Sequence, residues 1–235
     1  MNPIRDEWQS DDGSVRLILG DCLEVLPTLK PGAVVTDPPY GIRHSSSHGA
    51  SWQDTVIAGD TDTSTRDAAL ACVNGCPVAC FGTWKTPPIV GVRGVLIWDK
   101  GPAFGMGDLS FPWKPSWELI YVRGAGWAGT RDEGVLRGHI VVSWESAGRV
   151  HPHQKPVSLI EAIYEKLADG LGVCDPFMGS GSAGVAAVRV GRGFVGIEID
   201  RHHWETSVAR VRAELERFPL FEQSVASLRQ LEFPG

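Results

Sequence analysis

Four consecutive residues, Asp37-Pro38-Pro39-Tyr40, join a carboxylate, two prolines and a phenol ring at the end of the apolar run Ala33-Val34-Val35-Thr36. The prolines stiffen the backbone, so Asp37 and the Pro38 carbonyl form two acceptors in a rigid array with a flat ring beside them. Such an array suits a planar group that bears an amino substituent, as a nucleobase does. The run before it reads as a short buried strand, which two successive prolines cannot continue as a hydrogen-bonded ladder. The tetrapeptide therefore belongs at a strand's carboxyl end, where open α/β sheets bind ligands.

A second constellation lies far along the chain. Gly179-Ser180-Gly181-Ser182-Ala183-Gly184 fits G-x-G-x-x-G between a strand and a helix, and Glu198 ends the next strand. Alone, this spacing describes a dinucleotide site, with glycines admitting the ligand backbone and the carboxylate pairing with ribose hydroxyls. A pyrophosphate, however, needs the bare positive end of the helix, and Asp175 places a carboxylate beside that loop. An anion there suits a ligand with a cationic amino group and little negative charge. S-adenosylmethionine has that character.

The elements that must position these residues follow from periodicity and breakers. A strand at Val15 to Leu19 leads through Gly20-Asp21 into a short helical segment that buries Leu23 and Leu26 and is cut off by Pro27. Pro31-Gly32 then turns the chain into the strand that delivers Asp37, completing a β-α-β unit. Gly41 to Ser64 is polar and aperiodic, a lid-like loop in which Arg43, His44 and His48 are candidates to touch phosphate. Asp67 to Val73 can form a helix. Pro77 to Phe81 and Val95 to Trp98 read as buried strands, followed by strands at Trp117 to Val122 and Ile140 to Ser143. Pro156 opens a helix with Ile160, Ile163, Tyr164 and Leu167 at helical spacing, closed by Gly170. A strand at Gly172 to Cys174, the glycine loop, a helix at Ala183 to Val190 and a strand at Phe194 to Ile197 come next. A long helix starts near Arg201, with Asp200 as N-cap and Trp204, Val208, Val211 and Leu215 on one face, and ends before Pro219.

Bulk properties set the class. A chain of 235 residues suits one α/β domain, and 28 Gly with 16 Pro imply many turns. No apolar run reaches membrane-spanning length and the N-terminus does not resemble a signal peptide, so the expected location is cytoplasmic. Five cysteines then stay reduced. Cys72, Cys76 and Cys80 are evenly spaced, but Gly75 and Pro77 interrupt any helix between them, and no metal is expected. The net charge of −6 excludes a generic nucleic-acid coat. Its distribution is uneven: residues 85 to 155 hold nine basic against six acidic side chains, the only net-basic third. There Phe104, Met106, Phe111 and Trp113 alternate with Lys100, Lys114, Arg123 and Arg131, a pattern that can stack on bases and meet phosphate, or simply pack a loop on the core.

Taken together, Asp37-Pro38-Pro39-Tyr40, His151-Pro152-His153-Gln154-Lys155-Pro156, Asp175-Pro176-Phe177-Met178-Gly179-Ser180-Gly181 and Gly196-Ile197-Glu198 resemble the DNA amino-methyltransferases that modify adenine N6 or cytosine N4. The order, catalytic motif before cofactor motif, is similar to that family's permuted β class, and the resemblance runs from about Gly20 to Arg212. It implies a Rossmann-like, doubly wound, mostly parallel sheet in a single methyltransferase domain over 1–235, with a small target-recognition insertion at roughly 101–149. It implies S-adenosylmethionine as cofactor and double-stranded DNA as substrate, and is compatible with a homodimer or with a restriction or specificity partner. By the same resemblance Asp37, Pro38, Pro39 and Tyr40 are catalytic. Asp175, Pro176, Phe177, Gly179, Ser180 and Gly181 cradle the methionine part of the cofactor, Glu198 and Ile199 its ribose side, and Asp21 stands near its adenine, although a helix N-cap explains Asp21 equally well. Lys155 is expected near the methionine carboxylate. His153 stands where relatives often have Thr, and its role and that of His151 stay open.

The chemistry implied is direct. An exocyclic amine is a poor nucleophile because its lone pair is delocalised; hydrogen bonds to Asp37 and the Pro38 carbonyl favour a pyramidal nitrogen, which takes the methyl group in line. A carboxylate is too weak a base to deprotonate the neutral amine first, so Asp37 accepts the proton after transfer. The base must leave the duplex and stack on Tyr40. Cytosine C5 chemistry would need a nucleophilic Pro-Cys pair, and only the reversed Cys76-Pro77 is present. Asp rather than Ser before Pro-Pro-Tyr favours adenine by the resemblance. Cytosine N4, an RNA or protein substrate, an NAD-binding protein and a silent DNA-binding subunit are the competing readings.

Overall fold

The computed structural model describes residues 3–41, 61–101, 110, 112–114, 116–138 and 154–217. Among them nine strands form one sheet: β1 (Ile4–Gln9), β2 (Val15–Gly20), β3 (Ala33–Thr36), β4 (Val78–Gly82), β5 (Gly94–Asp99), β6 (Trp117–Arg123), β7 (Val135–Leu136), β8 (Val173–Asp175) and β9 (Phe194–Glu198), in the order β1-β2-β9-β8-β3-β4-β6-β5-β7. The block β2-β9-β8-β3-β4 is parallel throughout. Every residue of β3, β4, β8 and β9 is buried, as a sheet covered on both faces requires. Helices α3 (Val157–Tyr164), α4 (Ser182–Arg189) and α5 (Arg201–Arg217) pack one face around Phe194, Tyr164 and Val211. Helices α1 (Cys22–Val25) and α2 (Ser64–Ala71) cover the other around Ile18, Val34 and Ile197.

One topological feature positions the site. From β8 the chain passes through α4 to β9 on one side, whereas from β3 it passes through α2 to β4 on the other, and β8 and β3 are neighbours. The loops leaving these two strands diverge, so their carboxyl ends flank the crevice of a doubly wound sheet. The sequence motifs that follow β3 and β8 are 138 positions apart along the chain, counting Asp37 to Asp175, yet meet at this switch point.

Several local expectations are corrected. In α1 the buried residues are Cys22 and Val25, with Leu26 behind them, while Leu23 is exposed: the single turn presents its Cys22–Val25 side to the sheet. Helix α3 stops at Tyr164 rather than near Gly170, because Lys166 and Leu167 close tight turns onto the Ile163 and Tyr164 carbonyls. Strand β5 is not a buried strand: Val95 and Ile97 point outward. Strand β1, with three charged residues among its six, was not anticipated; it is an edge strand whose Glu7 pairs with Arg16 of β2. The expected strand at Ile140 to Ser143, Arg43, His44, His48, Phe104, Met106, Phe111, His151 and His153 lie outside the described residues, as do 102–109 and 139–149. Cys72 is exposed, Cys76 half-buried and Cys80 buried, and no metal-binding group of His, Cys, Asp or Glu occurs among the described residues. No helix among them is long and apolar enough to cross a membrane.

Candidate functional site

Two strand ends are bolted together at the crevice. Thr36, the last residue of β3, donates its hydroxyl to Asp175 Oδ1 at 2.6 Å, and the Phe177 amide donates to the same oxygen at 3.0 Å. Among the described residues Asp175 Oδ2 takes no hydrogen bond. Burial pushes the Asp175 carboxyl from an ordinary 3.8 up to about 7, against the hydrogen bonds from Thr36 and Phe177 and with help from the charges of Asp37 and Glu198. A buried carboxyl whose second oxygen takes no bond among the described residues can accept a cationic partner.

The loop that follows is shaped by two glycines. Gly179 has φ +53° and a Cβ built there would meet nothing nearer than 4.0 Å, so its backbone lies open to a ligand. Gly181 has φ +79° and a Cβ there would stand 2.6 Å from Ser207 Cβ, so α5 can pack against α4 only over a bare backbone. Glu198, buried at the end of β9, accepts from the Gly179 amide at 2.8 Å through Oε2 and from the Asp200 amide at 2.8 Å through Oε1. Each oxygen retains a lone pair for a further donor. Pro176 is buried, Phe177 half-buried against the α1–α2 side, and Ile199 lies 44% exposed at the rim. Ser180 is held from behind by Arg210 of α5, whose guanidinium reaches the Ser180 carbonyl and, at 3.1 Å, its hydroxyl. Burial, and then the charge of Arg189, pull the Arg210 pKa down to about 10. Arg210 escaped the sequence reading, since a cation one turn beyond Ser207 on an amphipathic helix looks like ordinary surface. Asp21 accepts from the Leu23 amide at 2.9 Å, which is the capping role, at the end of β2 beside β9.

Across the crevice Asp37 stands in a charged cluster. Tyr40 donates its hydroxyl to Asp37 Oδ1 at 2.9 Å, and Lys155 Nζ lies 2.6 Å from Asp37 Oδ2. Expected beside the cofactor's carboxylate, Lys155 is found with its ammonium on Asp37, the carboxylate within its reach from the residue that precedes Pro156. Glu118 of β6 completes the group, with Oε2 at 3.3 Å from Lys155 and 3.2 Å from the Tyr40 hydroxyl, and Oε1 on Lys100. Glu118 was also missed; the available signal was a lone carboxylate in the apolar run Trp117-Glu118-Leu119-Ile120-Tyr121-Val122. Burial raises its pKa, but the ammoniums of Lys155 and Lys100 win and hold it at about 2. Lys155 is correspondingly held up at about 12, its burial outweighed by Asp37 and Glu118. Burial and the two neighbouring carboxylates push the Tyr40 phenol well above its ordinary range.

Of the four cations interleaved with the aromatics, two are spent inside the fold. Lys100 pairs with Glu118, and Arg123 donates to the Leu70, Val73 and Val90 carbonyls, tying β6 to the end of α2. Lys114 and Arg131 are exposed, as is Trp113 at 70%.

Comparison with known proteins agrees with the fold. The family profile described as DNA methylase, of the N6/N4 type, matches residues 118–209. The chain is 23% identical over 253 aligned positions to the type II methyltransferase M2.MboI of Moraxella bovis, covering 88% of this chain and 91% of that protein. Among solved structures, M1.HpyAVI in its SAM complex superimposes with a TM-score of 0.58 at 23% identity, covering 83% of this chain and 99% of that one. The cytosine-N4-specific PvuII DNA methyltransferase superimposes with a TM-score of 0.61 at 14% identity, covering 86% and 92%. Both share the mostly parallel α/β architecture described above.

Proposed function

We propose, on the premise that the chain belongs to the DNA amino-methyltransferase family, that it moves the methyl group of S-adenosylmethionine to adenine N6 of a base flipped out of double-stranded DNA. The observation that carries this reading is the 2.6 Å bond from Thr36 to Asp175, which couples the strand end presenting Asp37 to the strand end opening the glycine loop. Donor and acceptor pockets are thereby one site.

The residues present fit the cofactor. Asp175 Oδ2 suits its ammonium, the bare Gly179 backbone admits its methionine portion, and the remaining lone pairs of Glu198 suit ribose hydroxyls. When bound, S-adenosylmethionine supplies a methyl group made electrophilic by the sulfonium. Asp37 and the Pro38 carbonyl accept the N–H groups of the target amine and turn its lone pair toward that methyl. Asp37 would take up the proton that the amine nitrogen sheds once it carries the methyl group, while sulfur, as the leaving group, would keep the former C–S bonding pair. Tyr40, its hydroxyl tied to Asp37, holds its ring beside the carboxylate for stacking by the extruded base, which offsets an unstacking cost of a few kcal/mol.

Adenine is favoured by Asp at the head of Asp-Pro-Pro-Tyr; the fold itself serves either base. Nucleoside mass spectrometry of DNA from methylation-deficient cells expressing the chain should show N6-methyladenine. N4-methylcytosine in its place would reassign the base and leave the chemistry intact, while an absence of both would refute the reading.

A further inference from the structure

The mechanism needs Asp37 as an acceptor, yet both of its oxygens are already engaged, by Tyr40 and by a buried lysine. We propose that Lys155 is a counter-ion shared between Asp37 and Glu118, and that Glu118 is the positioning residue that takes it over when a base amine occupies Asp37. This inference rests on Asp37 being the amine acceptor.

The geometry provides every part of such an exchange. Lys155 Nζ lies 2.6 Å from Asp37 and 3.3 Å from Glu118 Oε2, so a shift of under an ångström changes its principal partner. The Tyr40 hydroxyl has the same two choices, 2.9 Å to Asp37 and 3.2 Å to Glu118, and a single proton to give. Both donors on Asp37 can therefore move to one second carboxylate, and neither loses a hydrogen bond. Phe81 and Tyr40 place ring centroids 5.1 and 5.5 Å from the ammonium, which keeps it in this slot while it moves. Lys100 holds the other oxygen of Glu118, so the group contains two cations and two anions before and after the shift.

Exposure orders the pair. The Asp37 side chain is 28% exposed, Glu118 19% and Lys155 9%, so Asp37 reaches the crevice and Lys155 stands behind it. An amine entering at Asp37 would strand a buried ammonium if Glu118 were absent, and uncompensated buried charge is strongly unfavourable. With Glu118 in place, Asp37 becomes available at little cost.

Two readouts test this. In thermal denaturation without DNA or cofactor, Asp37→Asn and Glu118→Gln each leave Lys155 one carboxylate. The double variant leaves it none, and should lose more than the sum of the single shifts by about 4 °C or more. Adding Lys155→Met should recover most of that excess. Additive shifts, or an excess that Lys155→Met does not relieve, would overturn the shared counter-ion. If the double variant shows no cooperative transition, its return in the triple variant supports the proposal and its continued absence contradicts it. In turnover, Glu118→Gln leaves Lys155 clamped on Asp37, so kcat should fall about tenfold or more with KM for S-adenosylmethionine unchanged, and Lys155→Met in that background should restore part of it. Wild-type turnover in Glu118→Gln would refute the handover. Failure of the wild-type chain to methylate any DNA would instead sink the role of Asp37, and the stability cycle would still decide the counter-ion.

Discussion

Replacing Asp37 with alanine should lower methyl transfer to DNA by about 10²–10⁴-fold, the range expected for a lost proton acceptor, and leave S-adenosylmethionine affinity within about threefold of wild type. The separation of effects follows from how the site is built. The glycine loop is held by Glu198, Arg210 and Thr36, none of which needs the Asp37 side chain. Lys155, deprived of Asp37, still has Glu118 at 3.3 Å, so the cluster keeps its charge balance in part and the fold survives. Calorimetric titration with S-adenosylmethionine and a turnover assay on the same preparation measure the two arms. An active variant would remove Asp37 from the chemistry, and an equal loss of cofactor binding would mean that the two loops are not separable.

The second large effect belongs to Asp175. Asparagine retains the acceptor for Thr36 and Phe177 but carries no charge, so S-adenosylmethionine binding should weaken by about 30-fold or more, as expected when one member of a buried charge pair is removed. The same substitution should stabilise the ligand-free protein near pH 8. Burial raises the folded pKa from 3.8 to about 7, so between those values the folded state binds more protons than the unfolded one, and stability declines as pH rises through that window. Asparagine abolishes that decline, so the advantage of the variant in thermal denaturation should be largest above pH 7 and shrink toward pH 4. For the wild-type chain, cofactor affinity should fall as pH drops below about 7, because protonated Asp175 no longer attracts an ammonium. Wild-type affinity in Asp175→Asn would detach this residue from the cofactor.

What could be read from the sequence was what is encoded locally. Asp37-Pro38-Pro39-Tyr40 marks a strand end because prolines break a ladder, and Gly179 to Gly181 marks a tight turn because other side chains do not fit φ values of +53° and +79°. The parallel core strands were legible as apolar runs. Strand β1 was not, since an edge strand held by Glu7 and Arg16 has the composition of a loop. The coupling of Asp37 through Lys155 to Glu118 was illegible for a different reason: Glu118 and Lys155 meet only because β6 lies beside β4 and the segment before α3 returns to the crevice, a contact 37 positions apart along the chain with no local signature. Arg123, in turn, read as a phosphate contact because a cation beside aromatics has the same sequence pattern whether it faces solvent or ties a helix end.

The loops after β3 and β8 are proposed to form one site that passes a methyl group directly to an exocyclic amine. Incubating the purified chain with S-adenosylmethionine labelled in the methyl group and unmethylated duplex DNA, then locating the label in the nucleosides, tests it most directly. The label is expected on the exocyclic nitrogen, on adenine, with none retained by the protein; label on a ring carbon, on the protein itself, or on no nucleoside would overturn this mechanism.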